Sequence, residues 1–274
     1  MPEGDTVWRS ARNLNRALAG QVITRCDLRV PSVATVDLTG QTVHEIVSRG
    51  KHLLMRIGES TVHSHLKMEG SWHLYPVDGR WRRPAYSARA VLGTESATIV
   101  GFSLGKLEVF PTAEEEDHVG YLGPDLLGAD WDADEALARL RSRPERTIGQ
   151  ALLDQRNLAG IGNIYRCEVC FLTGVHPLTA VADVKDLPRV VDRAYRLLQL
   201  NRESAVAIVT TGNTRRGEEN WVYGRAGRPC RRCRTPIVRA EVGNTELDVR
   251  EYYFCPRCQP VPEHPGDAVV PATD

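Results

Sequence analysis

The chain has 274 residues, of which 42% are hydrophobic and 26% charged, and its 35 basic and 35 acidic side chains give a formal net charge of zero. This composition is typical of a soluble globular protein, and the length predicts about two domains. No apolar run approaches the ~18 residues of a membrane span, and residues 1–20 lack a signal-peptide core, so we expect a cytoplasmic protein. Zero net charge argues mildly against nucleic-acid binding, but eight arginines and four acidic residues between Trp221 and Cys258 give that segment a local charge of +4.

The first chemical feature is Pro2-Glu3-Gly4, directly after the initiator methionine. Removal of Met1, which the small second residue favours, would leave Pro2 with a free secondary amine. An α-amino group titrates near ~8 and a lysine near ~10.4, so far more of the former is unprotonated at neutral pH. A secondary amine can add to an aldehyde-level carbon and form an iminium, and Glu3 is the nearest candidate for proton transfer. The alternative is an ordinary terminus that frays.

The hydrophobic pattern then predicts a helix over residues 3–19, followed by short strands and later by helices. Many short strands in succession favour an antiparallel sandwich or barrel. The predicted strands are Val22–Val30, Thr42–Ser48, His52–Ile57, Thr61–Leu66, Ser87–Leu92, Thr98–Phe102 and Lys106–Phe110. The predicted helices beyond residue 125 cover about 133–142, 147–155, 163–172 and 187–200. The last segment, Gln259–Asp274, contains four prolines and is expected to be a loose tail.

A glycine-rich turn joins the two middle helices through the segment Asp154–Tyr165. Amide groups at the start of the second helix, together with the Asn163 side chain, could bind a phosphate without a basic residue. The alternative is that Asn163 only caps the helix.

Four of the seven cysteines, Cys230, Cys233, Cys255 and Cys258, form two Cys-x-x-Cys pairs separated by 21 residues. This gap is slightly longer than the ~15–20 residues usual in zinc ribbons, and it fits a hairpin with an enlarged tip near residues 242–244. We predict one structural Zn²⁺ in a closed four-sulfur site. Cys167 and Cys170 fall in a helical pattern and are better interpreted as buried structural residues, and Cys26 as a core residue.

Six motifs occur in an order that points to one family: Pro2-Glu3-Gly4, Arg49-Gly50-Lys51, His65–Gly70, Leu122–Asp125, Gly160–Tyr165 and the terminal four-cysteine finger. From residue 2 to about 259 the chain resembles the formamidopyrimidine-DNA glycosylase / endonuclease VIII family of repair enzymes. The likeness is greatest to the endonuclease VIII branch found in actinobacteria.

The resemblance implies an α+β multidomain fold. Residues 2–128 would form a catalytic domain with an N-terminal helix and an antiparallel β-sandwich, and 129–222 a helix–two-turn–helix DNA-binding domain. Residues 223–260 would form the zinc finger and 261–274 a disordered tail. DNA would lie in the cleft between the first two domains.

The resemblance also implies roles for individual residues. Pro2 would attack the deoxyribose C1′, and Glu3 would protonate the sugar ring oxygen or shuttle protons. Lys51 would contact phosphate and support β-elimination. Asn163 would hold phosphate, and Arg250, five residues before Cys255, would contact phosphate and aid δ-elimination. Without the family match, Lys51 and Arg250 would be ordinary surface cations. Glu168 is either a residue that orders the active site or a surface glutamate.

Lys67 and Met68 lie in the third motif. An enzyme that acts on a base must take it out of the stack, and an unbranched apolar side chain such as Met68 can fill the gap. Lys67 could meet the orphaned base or a phosphate. Packing in the core is the alternative for Met68.

The predicted function is therefore a bifunctional DNA glycosylase and abasic-site lyase of base excision repair. It would act on damaged DNA as a monomer, remove oxidised bases, favour pyrimidines and use no cofactor besides structural zinc. The alternatives are a preference for 8-oxoguanine and formamidopyrimidine, a lyase with little glycosylase activity, and a non-catalytic zinc-finger DNA-binding protein.

Overall fold

The computed structural model describes residues 2–204, 208–242 and 250–267. The chain divides into two compact units, Met1–Tyr121 and Leu122–Asp274. The division falls between Tyr121 and Leu122, seven residues before the domain boundary that we expected between residues 128 and 129. None of the described helices is long and apolar enough to cross a membrane.

The first unit begins with helix α1 (Gly4–Leu18), which agrees closely with the predicted helix. Val7, Ala11, Leu14 and Leu18 are buried, as their helical spacing requires. The helix packs against the strand Val43–Arg49, where the Asn15 side-chain oxygen accepts a hydrogen bond of 2.7 Å from the Ile46 amide.

Eight strands follow and form two antiparallel sheets with the orders β1-β6-β7-β5 and β2-β3-β4-β8. They are β1 (Arg25–Leu28), β2 (Val43–Arg49), β3 (His52–Ile57), β4 (Ser60–His65), β5 (Ser71–Pro76), β6 (Ala88–Gly93), β7 (Ala97–Phe102) and β8 (Lys106–Pro111). Residues of both sheets and of α1 share one hydrophobic core, which includes Leu14, Met55, Leu92 and Ile99. The expected helix-plus-sandwich architecture is confirmed.

Two features of this unit were not predicted. Strand β5 has polar residues at Ser71 and His73 and ends in a proline, so its hydrophobic pattern is weak. A short helix, α2 (Glu115–Val119), follows the last strand.

Cys26, which was expected in the core, is half-buried and packs at the edge of the core.

The described part of the second unit contains four α-helices: α3 (Ala133–Arg141), α4 (Ile148–Leu153), α5 (Asn163–Thr173) and α6 (Leu187–Asn201). Their bounds agree with the predicted helices to within two residues. Thr147 caps α4 and Asp186 caps α6 through their side chains. Helix α5 ends at Gly174, whose φ of +74° is the left-handed conformation that glycine adopts at helix ends.

The finger is a hairpin of β9 (Val238–Val242) and β10 (Arg250–Phe254). Its Tyr252 and Phe254 share a hydrophobic cluster with Cys167 and Phe171 of α5. Cys167 and Cys170 are fully buried and burial raises the pKa of both thiols, as expected of structural cysteines. The part of the expected hairpin tip at residues 243–244 lies outside the described residues.

The expectation of a disordered tail is wrong for residues 265–267. Pro265 forms a β-bridge with Thr179, and Asp267 forms one with Arg146. The Asp267 amide donates to the Glu145 oxygen at 2.7 Å. Backbone hydrogen bonds therefore attach residues 265–267 to the rest of the second unit. The proline content of the segment did not predict these long-range contacts. Residues 268–274 lie outside the described part of the chain.

Candidate active site and metal centre

The chain start is held in place by α1. The Glu3 carbonyl accepts the first helical hydrogen bonds, from the Thr6 amide at 3.0 Å and the Val7 amide at 3.1 Å. The Glu3 side chain is fully buried and Pro2 is half-buried. Glu3 therefore caps an ordered helix, directly after Pro2, and these two residues do not form a frayed terminus.

A second carboxyl, which the sequence analysis did not single out, lies two residues further on. Asp5 is fully buried and pairs through Oδ2 with Arg9 at 3.0 Å. Its Oδ1 has no hydrogen-bond partner among the described residues. Burial raises the pKa of Asp5 despite the nearby guanidinium.

Lys51 occupies the turn between β2 and β3. Arg49 pairs with His52 at the end of this hairpin, and Gly50 has a φ of +58°, which glycine adopts without strain. Helix α1 packs against both strands of the hairpin. The fold thus brings helix α1, which Glu3 caps, together with the hairpin that carries Lys51.

Lys67 and Met68 form a tight turn after β4. The Lys67 amide donates to His65 Nδ1 at 2.9 Å, and the Gly70 amide closes the turn on the Leu66 oxygen at 2.9 Å. Met68 is 59% exposed, so the core interpretation is wrong for it. An unbranched apolar side chain is presented on the surface, as a wedge requires.

Asn163 is the first residue of α5, and Gly162 before it is the cap, so the capping interpretation is wrong. Its Nδ2 donates to the Glu251 oxygen at 2.8 Å, and Arg166 donates both to Asn163 Oδ1 and to the same Glu251 oxygen. One hydrogen of the amide is therefore used inside the protein. The other is the one that a phosphate can accept.

Arg250 is the exposed first residue of β10, directly before Glu251. Because the Glu251 oxygen is bonded to Asn163 and Arg166, the fold connects the start of α5 to the strand that carries Arg250. Asn163 is thus bonded to the residue next to Arg250, although Asn163 and Arg250 lie 87 positions apart in sequence.

Glu168 is buried, which excludes the surface interpretation. Its carboxylate accepts hydrogen bonds from the Thr210 hydroxyl and from the amides of Trp221, Val222 and Tyr223 at 2.8–2.9 Å. Burial raises its pKa although these donors oppose the shift. Glu168 therefore anchors the segment that leads into the finger.

The four predicted zinc ligands come together. The sulfur atoms of Cys230 and Cys258 are 3.9 Å apart, those of Cys233 and Cys255 3.4 Å, and those of Cys233 and Cys258 3.5 Å. Zinc–sulfur bonds of about 2.3 Å in a tetrahedron place sulfur atoms about 3.8 Å apart. The Arg232 amide also points at the Cys230 sulfur, at 3.4 Å. The four residues fit a structural Zn²⁺.

Three family models match consecutive parts of the chain. The formamidopyrimidine-DNA glycosylase N-terminal domain matches residues 1–103, the H2TH domain of the same enzyme residues 122–211, and the zinc finger found in FPG and IleRS residues 227–261. A Streptomyces coelicolor protein named "Probable endonuclease 8 2" is 52% identical over 266 residues, which cover 96% of this chain and 95% of that protein. The chain belongs to the formamidopyrimidine-DNA glycosylase and endonuclease VIII family.

Other relatives agree with this assignment. A Mycolicibacterium smegmatis protein named "DNA-(apurinic or apyrimidinic site) lyase Nei2" is 49% identical and covers 94% of this chain and 99% of its own length. The structure of Lactococcus lactis Fpg in complex with abasic-site DNA has a TM-score of 0.79 at 26% identity, with 95% of this chain and 100% of that chain covered.

Family membership makes the chain a DNA glycosylase and abasic-site lyase of base excision repair. The alternative of a non-catalytic DNA-binding protein is therefore wrong. The four-cysteine cluster is the structural zinc centre of the family's finger.

This glycosylase also has a group of histidines beside Lys51 that was not predicted from the sequence. His52 Nδ1 lies 2.8 Å from His63 Nε2, His52 Nε2 lies 3.3 Å from the Tyr121 hydroxyl, and the rings of His52 and His65 are 5.0 Å apart. Burial, followed by neighbouring positive charges, lowers the pKa of His52 to about 2, of His65 to about 3 and of His63 to about 4. These rings are therefore neutral at pH 7. The alternation of His63 and His65 along β4 was the available signal.

Proposed function

We propose that this enzyme removes oxidised bases from DNA, with a preference for oxidised pyrimidines, and cleaves the backbone through a Schiff base on Pro2. The observation that carries the proposal is that Glu3, the residue directly after Pro2, is fully buried at the ordered start of α1. Support for the pyrimidine preference comes from relatives that are about half identical and carry the name endonuclease 8.

The first step is displacement of the base. After removal of Met1, the unprotonated Pro2 nitrogen attacks C1′, and the bond between C1′ and the base breaks. Glu3 protonates the ring oxygen, so the C1′–O4′ bond opens and a C1′ iminium forms on Pro2. The electron pair of the glycosidic bond leaves with the base, which takes up the proton that the Pro2 nitrogen loses.

Two eliminations follow. The iminium acidifies the C2′ hydrogen, whose loss expels the 3′ phosphate; loss of the C4′ hydrogen then expels the 5′ phosphate. Lys51 and Arg250 contact the phosphates and stabilise the leaving groups. Both cations stand on β-hairpins, Lys51 at a turn and Arg250 at the start of β10, which positions them better than a free loop would.

The remaining predicted residues hold the DNA. Asn163 binds phosphate through the second hydrogen of its amide, Met68 fills the gap left by the extruded nucleotide, and Lys67 contacts the orphaned base or a phosphate. The solved relatives are complexes with DNA, which supports damaged DNA as the partner. Contacts to phosphates make binding weaken steeply with salt. We further propose a monomer that works in the cytoplasm.

A second candidate is a preference for oxidised purines. It is favoured by one observation: solved structures similar to this chain include MutM with DNA that contains carbocyclic 8-oxo-G, at 26% identity and a TM-score of 0.79. Single-turnover base release from 5-hydroxyuracil, thymine-glycol and 8-oxoguanine duplexes separates the two preferences.

Borohydride trapping tests the proposal. The enzyme, with Met1 removal verified by mass spectrometry, is incubated with duplexes that carry an abasic site, 5-hydroxyuracil or 8-oxoguanine, and then reduced. We expect an adduct on the first two duplexes, with the linkage at Pro2. An adduct on the abasic duplex alone would mean that the enzyme is a lyase without glycosylase activity on these bases. Full strand cleavage by Pro2→Gly, with no adduct at residue 2, would mean that Pro2 is not the nucleophile.

A further inference from the structure

We propose that His63, Glu108 and His118 form a second metal site, for a divalent transition-metal ion such as Zn²⁺, separate from the four-cysteine centre. The three residues come from β4, β8 and α2 of the first unit. One donor atom from each lies within 4.8 Å of the other two.

The distances fit a tetrahedral ion. His63 Nδ1 lies 3.3 Å from Glu108 Oε2, and His118 Nδ1 lies 3.5 Å from the same oxygen. Bonds of about 2.1 Å from Zn²⁺ to nitrogen and oxygen place adjacent ligand atoms about 3.4 Å apart. Two of the three pairs of donor atoms therefore already have the spacing of adjacent ligands, and the two imidazole nitrogens lie within 4.8 Å of each other.

Neighbouring groups orient both imidazoles. His63 Nε2 lies 2.8 Å from His52 Nδ1. In the tautomer with the proton on Nε2, His63 donates to His52, and the lone pair of His63 Nδ1 is directed at Glu108. The His118 ring stacks on Phe110, with a centroid distance of 3.6 Å and an interplanar angle of 7°. Histidine ligands in metal sites are held in this way, through the second ring nitrogen and by packing.

The site is open on one side. His63 is fully buried, but the side chains of His118 and Glu108 are 29% and 35% exposed. Two imidazoles and one carboxylate leave a fourth tetrahedral position for water, and this ligand set suits Zn²⁺ and similar ions better than Mg²⁺ or Ca²⁺. A bound ion would connect the short helix α2 to the sheet.

One charged group competes with the ion. The Lys106 ammonium lies 3.2 Å from Glu108 Oε2, the oxygen that the metal would use. Removing this charge while keeping the length of the side chain, as in Lys106→Met, is expected to tighten metal binding. A purely structural hydrogen-bonded cluster has no reason to show this effect.

The test uses the whole protein with zinc already in the finger. Bound metal is counted by mass spectrometry, and Co²⁺ is then titrated and followed by its visible absorption. We expect one further equivalent, with bands typical of nitrogen and oxygen ligands and without the strong thiolate charge-transfer absorption of a cysteine site. His118→Ala and Glu108→Gln should abolish this equivalent. His44→Ala, which changes an exposed histidine on β2, is the matched control and should retain it.

Lys106→Met should bind Co²⁺ at least about tenfold more tightly than the wild type, the equivalent of about 1.4 kcal/mol. The proposal is overturned if no equivalent beyond the finger binds, if binding survives both His118→Ala and Glu108→Gln, or if Lys106→Met binds no more tightly. Thermal unfolding of each variant verifies that loss of binding is not loss of folding.

Discussion

Asn163 Nδ2 donates a hydrogen bond to the main-chain oxygen of Glu251 at 2.8 Å, and this bond attaches the first residue of α5 to the strand of the finger that begins with Arg250. The same oxygen accepts a hydrogen bond from Arg166 at 2.7 Å. A residue that we propose to bind phosphate therefore also holds the finger strand in place.

Asn163→Ala should impair both roles. The change removes one bond to Glu251 and leaves the buried Arg166 guanidinium without its Asn163 acceptor, so we expect a loss of about 1–3 kcal/mol in the free energy of unfolding. Urea unfolding measures the loss, and DNA affinity should fall as well. Asn13→Ala, on the exposed face of α1, is the control and should leave both quantities near the wild-type values. Wild-type stability in Asn163→Ala would contradict this account.

Glu3→Gln should separate base removal from strand cleavage. The amide preserves shape but cannot donate the proton, so release of a damaged base should fall by about 10²–10⁴-fold. An abasic site is already an aldehyde, and its cleavage should fall much less. Gel assays of base release and of abasic-strand cleavage measure the two rates. Equal losses in both assays would show that Glu3 acts in a step common to the two reactions.

Met68→Ala should leave folding intact and impair the enzyme on lesions in duplex DNA. Because the side chain is exposed, we expect a stability change within about 0.5 kcal/mol. Single-turnover base release from a duplex should slow, since nothing fills the gap left by the extruded nucleotide. Leu74→Ala, at a comparably exposed apolar residue, is the control. Unchanged base release in Met68→Ala would exclude the wedge role.

His176 should make the protein less stable in mild acid. Burial lowers its pKa from the ordinary 6.5 to about 4, so the unfolded chain takes up a proton that the folded chain does not. This contribution to stability is present above pH 6.5 and is lost as the pH falls towards 4. Urea unfolding at pH 7 and pH 5 should show a smaller loss for His176→Asn than for the wild type. Identical losses would mean that another group controls the dependence.

Removal of zinc should abolish DNA binding. The four cysteines hold the two ends of the hairpin together, and Tyr252 and Phe254 of that hairpin pack on α5. Without the ion the finger should unfold and its contact with Asn163 should be lost. Fluorescence anisotropy with a labelled abasic duplex, before and after chelation and after zinc is returned, measures the effect. Binding that persists after verified zinc loss from the cysteines would show that the finger is dispensable.

Local spacing was enough to predict much of this protein. The stripe from Val7 to Leu18 predicted α1 because a helix repeats every 3.6 residues. The paired Cys-x-x-Cys motifs predicted the zinc ligands because each pair forms one short turn. Strand β5 was not predicted, because Ser71, His73 and Pro76 interrupt the run of apolar residues by which a strand is recognised.

Only the tertiary structure decided which distant residues meet. Strand register sets His63 opposite Glu108, and the return of α2 adds His118; neither can be read from spacing along the chain. The bonds of Asn163 to Glu251 and of Glu168 to residues 221–223 likewise join segments tens of residues apart. The amino-acid sequence by itself thus determined the helices other than α2, most strands, the zinc ligands and the family. The partners of buried polar groups depended on packing, because a buried donor or acceptor bonds to whatever group the fold brings beside it.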